Sequence, residues 1–130
     1  MDRNAMMVYL DTHALIWVIQ GDRDQLGPAA RRAIEECDLV VSPAVVLELE
    51  LLHEIGRLRI PALTVVGTLA TDIGLRVCEL PFKTVVECAL KENWGRDPFD
   101  RLIVANAKAA EAPLVTKDAR IRRHYSRVIW

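Results

Sequence analysis

The stretch Met-Met-Val-Tyr-Leu-Asp, residues 6–11, decides the fold of this chain. Its first five residues are all apolar, and the run ends abruptly at Asp11. A short apolar run without polar alternation is typical of a strand that is buried on both faces, as in parallel sheets. We therefore expect a buried strand over residues 6–10, with the Asp11 carboxylate directly after its carboxyl end.

Predicted strands and helices alternate along the rest of the chain. Several boundaries carry Pro or Gly, such as a helix start at Pro28 and a helix stop at Gly56. This alternation predicts an α/β domain with a mostly parallel sheet and helices on both faces. With no repeat or linker, residues 1–130 are expected to form one domain. The predicted helices span residues 12–20, 28–37, 43–55, 61–74, 82–92, 97–110 and 118–124, and the predicted strands span 6–10, 39–42, 75–80, 113–116 and 127–130.

The composition indicates an ordinary globular protein, with 52% hydrophobic and 27% charged residues. No stretch approaches the roughly 18 apolar residues of a membrane span. The apolar run near the N-terminus is too short for a signal peptide, so we expect a cytoplasmic location. The 3 cysteines and 3 histidines lack the close spacing of metal ligands, which argues against a disulfide framework and a zinc site.

The net charge of −1 conceals an uneven distribution. Residues 1–90 carry 8 Lys/Arg and 13 Asp/Glu, whereas residues 91–130 carry 9 and 5. A phosphate-binding patch and a solvated helix face explain the basic cluster near the end of the chain equally well. The arginines of this cluster are Arg120, Arg122, Arg123 and Arg127.

Three acidic residues fall where the functional crevice of an open α/β sheet is expected, beyond the carboxyl ends of the strands. Asp11 follows the first strand, Asp118 follows the strand ending at Thr116, and Asp100 opens a helix. Each could instead be a helix cap. Asp100, however, shares a helix face with apolar residues at offsets of three, four and seven, whereas Asp97 lies outside that face and fits the cap.

Glu48 is the least expected of the acidic residues, because it interrupts an apolar stripe of its predicted helix. A carboxylate on a core-facing stripe costs several kcal/mol unless it is paired or bound to a metal. Its partner is either a divalent cation or an arginine from another element. The predicted stripe consists of Ala44, Val45, Glu48, Leu51, Leu52 and Ile55.

Four motifs in order resemble those of the PIN-domain ribonucleases, and among them the VapC-like toxins of bacterial toxin–antitoxin pairs. They cover almost the whole chain, and the third, which includes Asp-Pro-Phe-Asp-Arg, is the most specific. Leu47 stands where relatives often have Trp, and the loop 93–95 stands where relatives often have a His-rich loop. The four motifs are Tyr9–His13, Val41–Glu48 ending in Gly56–Leu58, Arg96–Ala107 and Leu114–Asp118.

The resemblance implies a three-layer α/β/α sandwich around a central, mostly parallel sheet of about five strands. It implies a Mg²⁺-dependent endoribonuclease, in which Mn²⁺ can substitute, acting as the toxin of a toxin–antitoxin pair. The family's acidic quartet falls on Asp11, Glu48, Asp100 and Asp118. Asp11 and Asp100 are expected to bind the metal directly, Asp118 to bind a second ion or orient a water, and Glu48 to hold water or act as general base. The implied partners are RNA, a VapB-like antitoxin and a second copy of the chain in a homodimer.

Neighbouring residues are expected to support such a site. Thr12, Ser42 and Thr116 are close enough in sequence to hydrogen-bond the carboxylates. Arg101 and the basic cluster are expected to meet the RNA backbone, because an acidic pocket by itself repels phosphate.

Two other function classes stay open at this point. One is a phosphoaspartyl receiver or phosphatase, which also has an acid after its first strand, although such phosphatases need a second acid where this chain has His13. The other is a non-catalytic module that has kept the fold for protein contacts. Labelling by acetyl phosphate tests the first class, and metal binding without RNA cleavage would indicate the second.

Overall fold

A five-stranded parallel sheet forms the centre of the computed structural model, which describes residues 6–130. The strand order is β3-β2-β1-β4-β5. All strand pairs are parallel, as predicted. The strands are β1 (Met7–Leu10), β2 (Asp38–Val41), β3 (Arg76–Val77), β4 (Leu114–Val115) and β5 (Val128–Ile129).

Strand β1, which contains most of the apolar run before Asp11, is the middle strand of this sheet. Tyr9 is in register with Val40 of β2 on one side and with Leu114 of β4 on the other. Val8, Tyr9 and Leu10 are at most 1% exposed, so the uninterrupted apolar run reflects burial on both faces. Strand β3 has two residues, fewer than the six predicted over residues 75–80.

Seven helices connect the strands within the described residues, close to the predicted bounds. The chain passes from β1 to β2 and β3 on one side and then returns past β1 to β4 and β5. Because parallel crossovers are right-handed, these two directions of travel cover both faces of the sheet with helices, which gives the predicted α/β sandwich. The helices are α1 (Thr12–Gln20), α2 (Pro28–Glu36), α3 (Pro43–Glu54), α4 (Ala62–Ile73), α5 (Phe82–Ala89), α6 (Pro98–Ala109) and α7 (Ala119–His124).

Helix α3 buries a different face from the one that its sequence indicated. Val45 and Leu49 are fully buried, whereas Leu51 is 40% and Ile55 is 66% exposed. The apolar residues of α3 surround most of the helix, so spacing alone did not determine which of them face the core. The predicted stripe was therefore wrong at Leu51 and Ile55, and Glu48 lies at the edge of the buried face, half-buried.

No helix in the described part of the chain is both long enough and apolar enough to cross a lipid bilayer.

Candidate active site

A cavity of about 420 Å³ lies at the carboxyl edge of the sheet and contains all four carboxylates that were predicted to meet. They come from four separate places in the chain: the ends of β1 and β4 and the helices α3 and α6. Strand β1 lies between β2 and β4, so its carboxyl end is at the centre of this edge. The cavity is lined by Asp11, Thr12, His13, Trp17, Glu48, Asp97, Asp100, Ile103, Lys117, Asp118 and Ile121.

Asp11 is held by hydrogen bonds to both of its carboxylate oxygens. Its Oδ1 accepts the backbone N–H of Ala14 at 2.8 Å, which makes Asp11 the N-cap of α1. Its Oδ2 accepts the hydroxyl of Thr116, and the Thr116 oxygen in turn accepts the Asp118 backbone N–H at 3.1 Å. Burial raises the pKa of Asp11, and the bonds from Thr116 and Ala14 partly oppose that rise.

Glu48 points toward α1, where its Oε1 accepts the hydroxyl of the buried Thr12. In the described residues no arginine pairs with Glu48, so the structure gives no support to the arginine alternative. The predicted support from Thr12 and Thr116 is therefore confirmed. The prediction for Ser42 was wrong: its oxygen accepts the Ala44 backbone N–H at 3.1 Å and caps α3 instead.

Asp100 is the carboxylate most affected by its neighbours. Its pKa is raised to about 6 in total, mostly by burial and then by the negative charges of Asp97, Asp118, Glu48 and Asp11, in that order. Among residues 6–130, no group donates a hydrogen bond to its side chain. All the other carboxylates of the cavity therefore disfavour the ionised form of Asp100, and no described hydrogen-bond donor stabilises it.

Asp97 and Asp118 are helix caps that also line the cavity. The Asp118 Oδ1 accepts backbone N–H groups of Arg120 and Ile121 at 2.8 and 3.0 Å, which caps α7. The Asp97 Oδ1 caps α6 in the same way, as predicted. A cap uses one carboxylate oxygen and leaves the other one available, so the capping role and the site role are compatible.

Sequence reasoning missed three residues of the cavity wall, His13, Trp17 and Lys117. Two signals could have identified them. His13 and Trp17 are four residues apart on α1, so they share one face of that helix, and α1 begins directly after Asp11. Lys117 lies between Thr116 and Asp118, which are both part of the site.

The arginines that were expected to meet RNA are mostly engaged elsewhere. The Arg101 guanidinium donates from Nε and Nη2 to the Ala89 carbonyl at 3.3 and 3.0 Å, so it joins α6 to the end of α5. Arg120 donates to the Trp94 carbonyl at 3.2 Å, and Arg127 bonds a backbone carbonyl of the loop after α6. Arg101 therefore uses two of its donor groups within the protein, and its expected contact with RNA stays a prediction.

The donor set of the cavity suits a hard divalent cation, since it consists of carboxylate oxygens with hydroxyl support. As the side chains stand, residues 6–130 contain no group of three or more His, Cys, Asp or Glu positioned to hold one ion. The charges of the neighbouring carboxylates add to the raised pKa of Asp100, so these groups repel one another when no cation lies between them. Metal binding would therefore require these side chains to rotate toward a common point.

Comparisons with known proteins agree with this fold. Residues 8–126 match the PIN domain family. The chain is 37% identical over 120 residues to Ribonuclease VapC22 of Mycobacterium tuberculosis. The aligned region covers 90% of this chain and 91% of that protein. The fold is also similar to VapBC2 from Rickettsia felis bound to a DNA fragment from its promoter, with a TM-score of 0.65 and 18% identity over 91% of this chain and 92% of that one.

A toxin–antitoxin complex from Klebsiella pneumoniae gives a similar result, with a TM-score of 0.64 and 15% identity over 95% of this chain and 96% of that one. At such low identities the two structural matches show the fold alone. The family match and the 37% identical relative show membership of a family as well as a shared fold. The chain belongs to the PIN domain family, and within it the chain is similar to VapC proteins.

Proposed function

We propose that this protein is a metal-dependent ribonuclease that acts as the toxin of a VapBC-type pair. The observation that carries the proposal is the meeting of Asp11, Glu48, Asp100 and Asp118 in one cavity. Four carboxylates from four elements repel one another, and a fold retains such an arrangement at a cost in stability unless a cation or substrate uses it. The similarity to a protein named as a ribonuclease supports the same reaction.

Mg²⁺ or Mn²⁺ fits the oxygen donors of this cavity, and Asp11 and Asp100 are the residues that we expect to hold it. When bound, such an ion activates water and offsets the negative charge that develops on a phosphate. Asp118 has one oxygen left after capping α7 and would bind a second ion or orient a water.

The remaining residues set the direction of these carboxylates. Thr116 fixes one oxygen of Asp11 and, through the same hydroxyl oxygen, the backbone of Asp118. Thr12 holds one Glu48 oxygen, and the other is left to accept a proton from the attacking water. These hydroxyls orient the acidic groups in the way that outer partners orient metal ligands.

Cleavage of a generic RNA tests the proposal directly. The purified protein should cut RNA with Mg²⁺ or Mn²⁺, and EDTA should stop the reaction. The variants Asp11→Asn and Asp100→Asn should lose at least about 100-fold in rate, as expected when an essential charged group is neutralised. Metal binding by calorimetry without any cleavage would favour the non-catalytic binding module instead.

The partners follow from the same proposal. We expect an antitoxin that masks the acidic cavity, and a homodimer of this chain. Large exposed apolar side chains on α3, α4 and α5 offer a contact surface, with Leu47 56%, Leu63 79% and Phe82 68% exposed. Light scattering on the isolated protein tests the dimer, and a monomer at micromolar concentration would contradict it.

A further inference from the structure

One wall of the cavity carries aromatic and basic side chains, whereas the rest of the site is dominated by carboxylates. His13 and Trp17 lie one helical turn apart on α1, with ring centroids 6.0 Å apart and ring planes inclined by 47°. The Lys117 Nζ lies 5.9 Å from the Trp17 ring centroid. All three residues line the cavity. We refer to His13, Trp17 and Lys117 as the aromatic wall.

The Trp17 ring is fixed by the residues behind it. It packs at a tilt against Trp130, with ring centroids 5.7 Å apart, and is partly buried against the hydrophobic core. Trp130 in turn lies on Gly27, where a Cβ would come within 2.6 Å of a Trp130 backbone carbon. A ring held by packing loses little conformational freedom when a ligand stacks on it. The Trp17 ring therefore gives the aromatic wall one preorganised flat face.

Lys117 supplies a positive charge to the cavity wall. The side chain is exposed, and in the described part of the chain it forms no ion pair, although Asp118 is the next residue. Its distance from the Trp17 ring is at the limit of a cation–π contact, which is weak at an exposed position. The Lys117 ammonium can therefore turn to a phosphate at low cost.

We propose that the aromatic wall is a nucleotide subsite, which binds an unpaired RNA nucleotide next to the phosphate that is cut. The inference rests on the proposed ribonuclease function. The base stacks on Trp17 beside His13, and Lys117 contacts the phosphate, which offsets the repulsion from the carboxylates. A base inside a duplex is stacked and paired and cannot reach a side chain in a cavity. The subsite therefore selects single-stranded RNA.

Binding of a fluorescein-labelled RNA 12-mer without self-complementarity tests this subsite. The measurement uses Asp100→Asn with Mg²⁺ as the parent, so that the RNA is not cut. Adding Trp17→Leu should weaken binding roughly 5- to 150-fold, the equivalent of about 1–3 kcal/mol for a stacked base. Adding Lys117→Gln should make the slope of log affinity against log salt shallower by about 0.7, the value for one lost phosphate contact on a single strand. The same RNA annealed to its complement should bind weakly to all variants alike.

Trp94→Leu is the matched control, because Trp94 is stacked on His124 outside the cavity, with ring centroids 4.9 Å apart. It should bind the 12-mer as the parent does. If Trp17→Leu lowers the melting temperature markedly, His13→Ala serves in its place, since His13 is exposed. It should weaken single-strand binding several-fold without unfolding the protein.

Unchanged affinity in both Trp17→Leu and Lys117→Gln would overturn the subsite, and so would an equal loss for single strand and duplex. Weaker binding of an antitoxin peptide with unchanged RNA binding would also overturn it, because the wall would then serve the protein partner. Cleavage of the same 12-mer is measured in parallel with the wild-type protein, in which Asp100 is intact. Cleavage together with unchanged binding refutes the subsite alone, whereas absence of cleavage refutes the proposed function.

Discussion

Replacing Asp100 by Asn should stabilise the metal-free protein while abolishing cleavage. The pKa of Asp100 is raised from 3.8 to about 6 by burial and by the surrounding carboxylates. At about 1.36 kcal/mol for each tenfold change in acidity, ionised Asp100 costs the folded state up to about 3 kcal/mol at neutral pH. Asn keeps the shape of the side chain and removes that charge.

Two effects reduce the expected gain. Asp100 is only half-buried, so water screens part of the repulsion. It is also the third residue of α6, where a negative charge favours the helix by about 0.3–1 kcal/mol. We therefore expect a gain of roughly 1–2.5 kcal/mol in the free energy of unfolding, which raises the melting temperature by about 4–10 °C in a domain of this size.

The gain should depend on pH in a defined direction. Because the folded-state pKa of Asp100 lies above its unfolded value, the folded protein binds more protons between about pH 4 and pH 6. The free energy of unfolding of the wild type therefore falls as the pH rises through this range, and Asp100→Asn lacks this contribution. The difference between the two proteins should be largest at pH 7 and only a small fraction of that value at pH 4.

Thermal unfolding in EDTA at pH 7 and at pH 4 measures both quantities. Asp24→Asn is the matched control, since Asp24 is exposed outside the cavity, and it should change the stability by less than about 0.5 kcal/mol. Added Mg²⁺ should stabilise the wild type and the control more than Asp100→Asn. A lower melting temperature of Asp100→Asn in EDTA at pH 7 would refute the reasoning, because Asp100 would then stabilise the start of α6 more than its charge destabilises the site.

Three further substitutions and one control test a contact in the site and two contacts elsewhere in the fold. Thr116→Val removes the hydroxyl that fixes Asp11 and should lower metal affinity or cleavage by about 10- to 100-fold with the fold intact; calorimetry giving wild-type affinity would contradict this. Glu92 is 5% exposed; its two oxygens accept hydrogen bonds from the Lys108 ammonium, and one of them also accepts the Trp94 indole N–H. Glu92→Ala should therefore lower the free energy of unfolding in urea by about 2–4 kcal/mol. Gly27→Ala should cost about 1–3 kcal/mol, because its Cβ would lie 2.6 Å from a backbone carbon of the last residue, whereas Gly67→Ala in the open middle of α4 should be neutral or stabilising by the same assay.

Most of the fold could be predicted from local sequence, because each element carried its own boundary signal. Helix α1 has its predicted bounds, with Asp11 as a cap at one end and Gly21 in the left-handed conformation at the other. Helix α3 starts at its predicted proline. The short strand β3 was less predictable, since only two residues of the predicted strand 75–80 pair with β2 and residues 78–80 lie in a loop.

The members of the site were also accessible from sequence, but for different reasons. Asp11 and Asp118 follow strands, and strand ends meet at one edge of a parallel sheet, so their proximity follows from the order of elements. Glu48 and Asp100 were identified as charged residues on apolar faces, although the face of α3 was partly wrong. The orientation of Arg101 could not be predicted, because its partner is a backbone carbonyl 12 residues away in the chain.

By itself the sequence determined the kinds of elements, their order and the residues able to carry charge into a crevice, because periodicity, caps and strand ends are local properties. Only the tertiary structure decided which oxygen each hydroxyl holds and which aromatic and basic side chains share the cavity. Thr116 and Asp11 are 105 residues apart, and Thr12 and Glu48 are 36 apart. Such pairs depend on how the strands line up and how the helices rotate against the core, and both depend on packing over the whole chain.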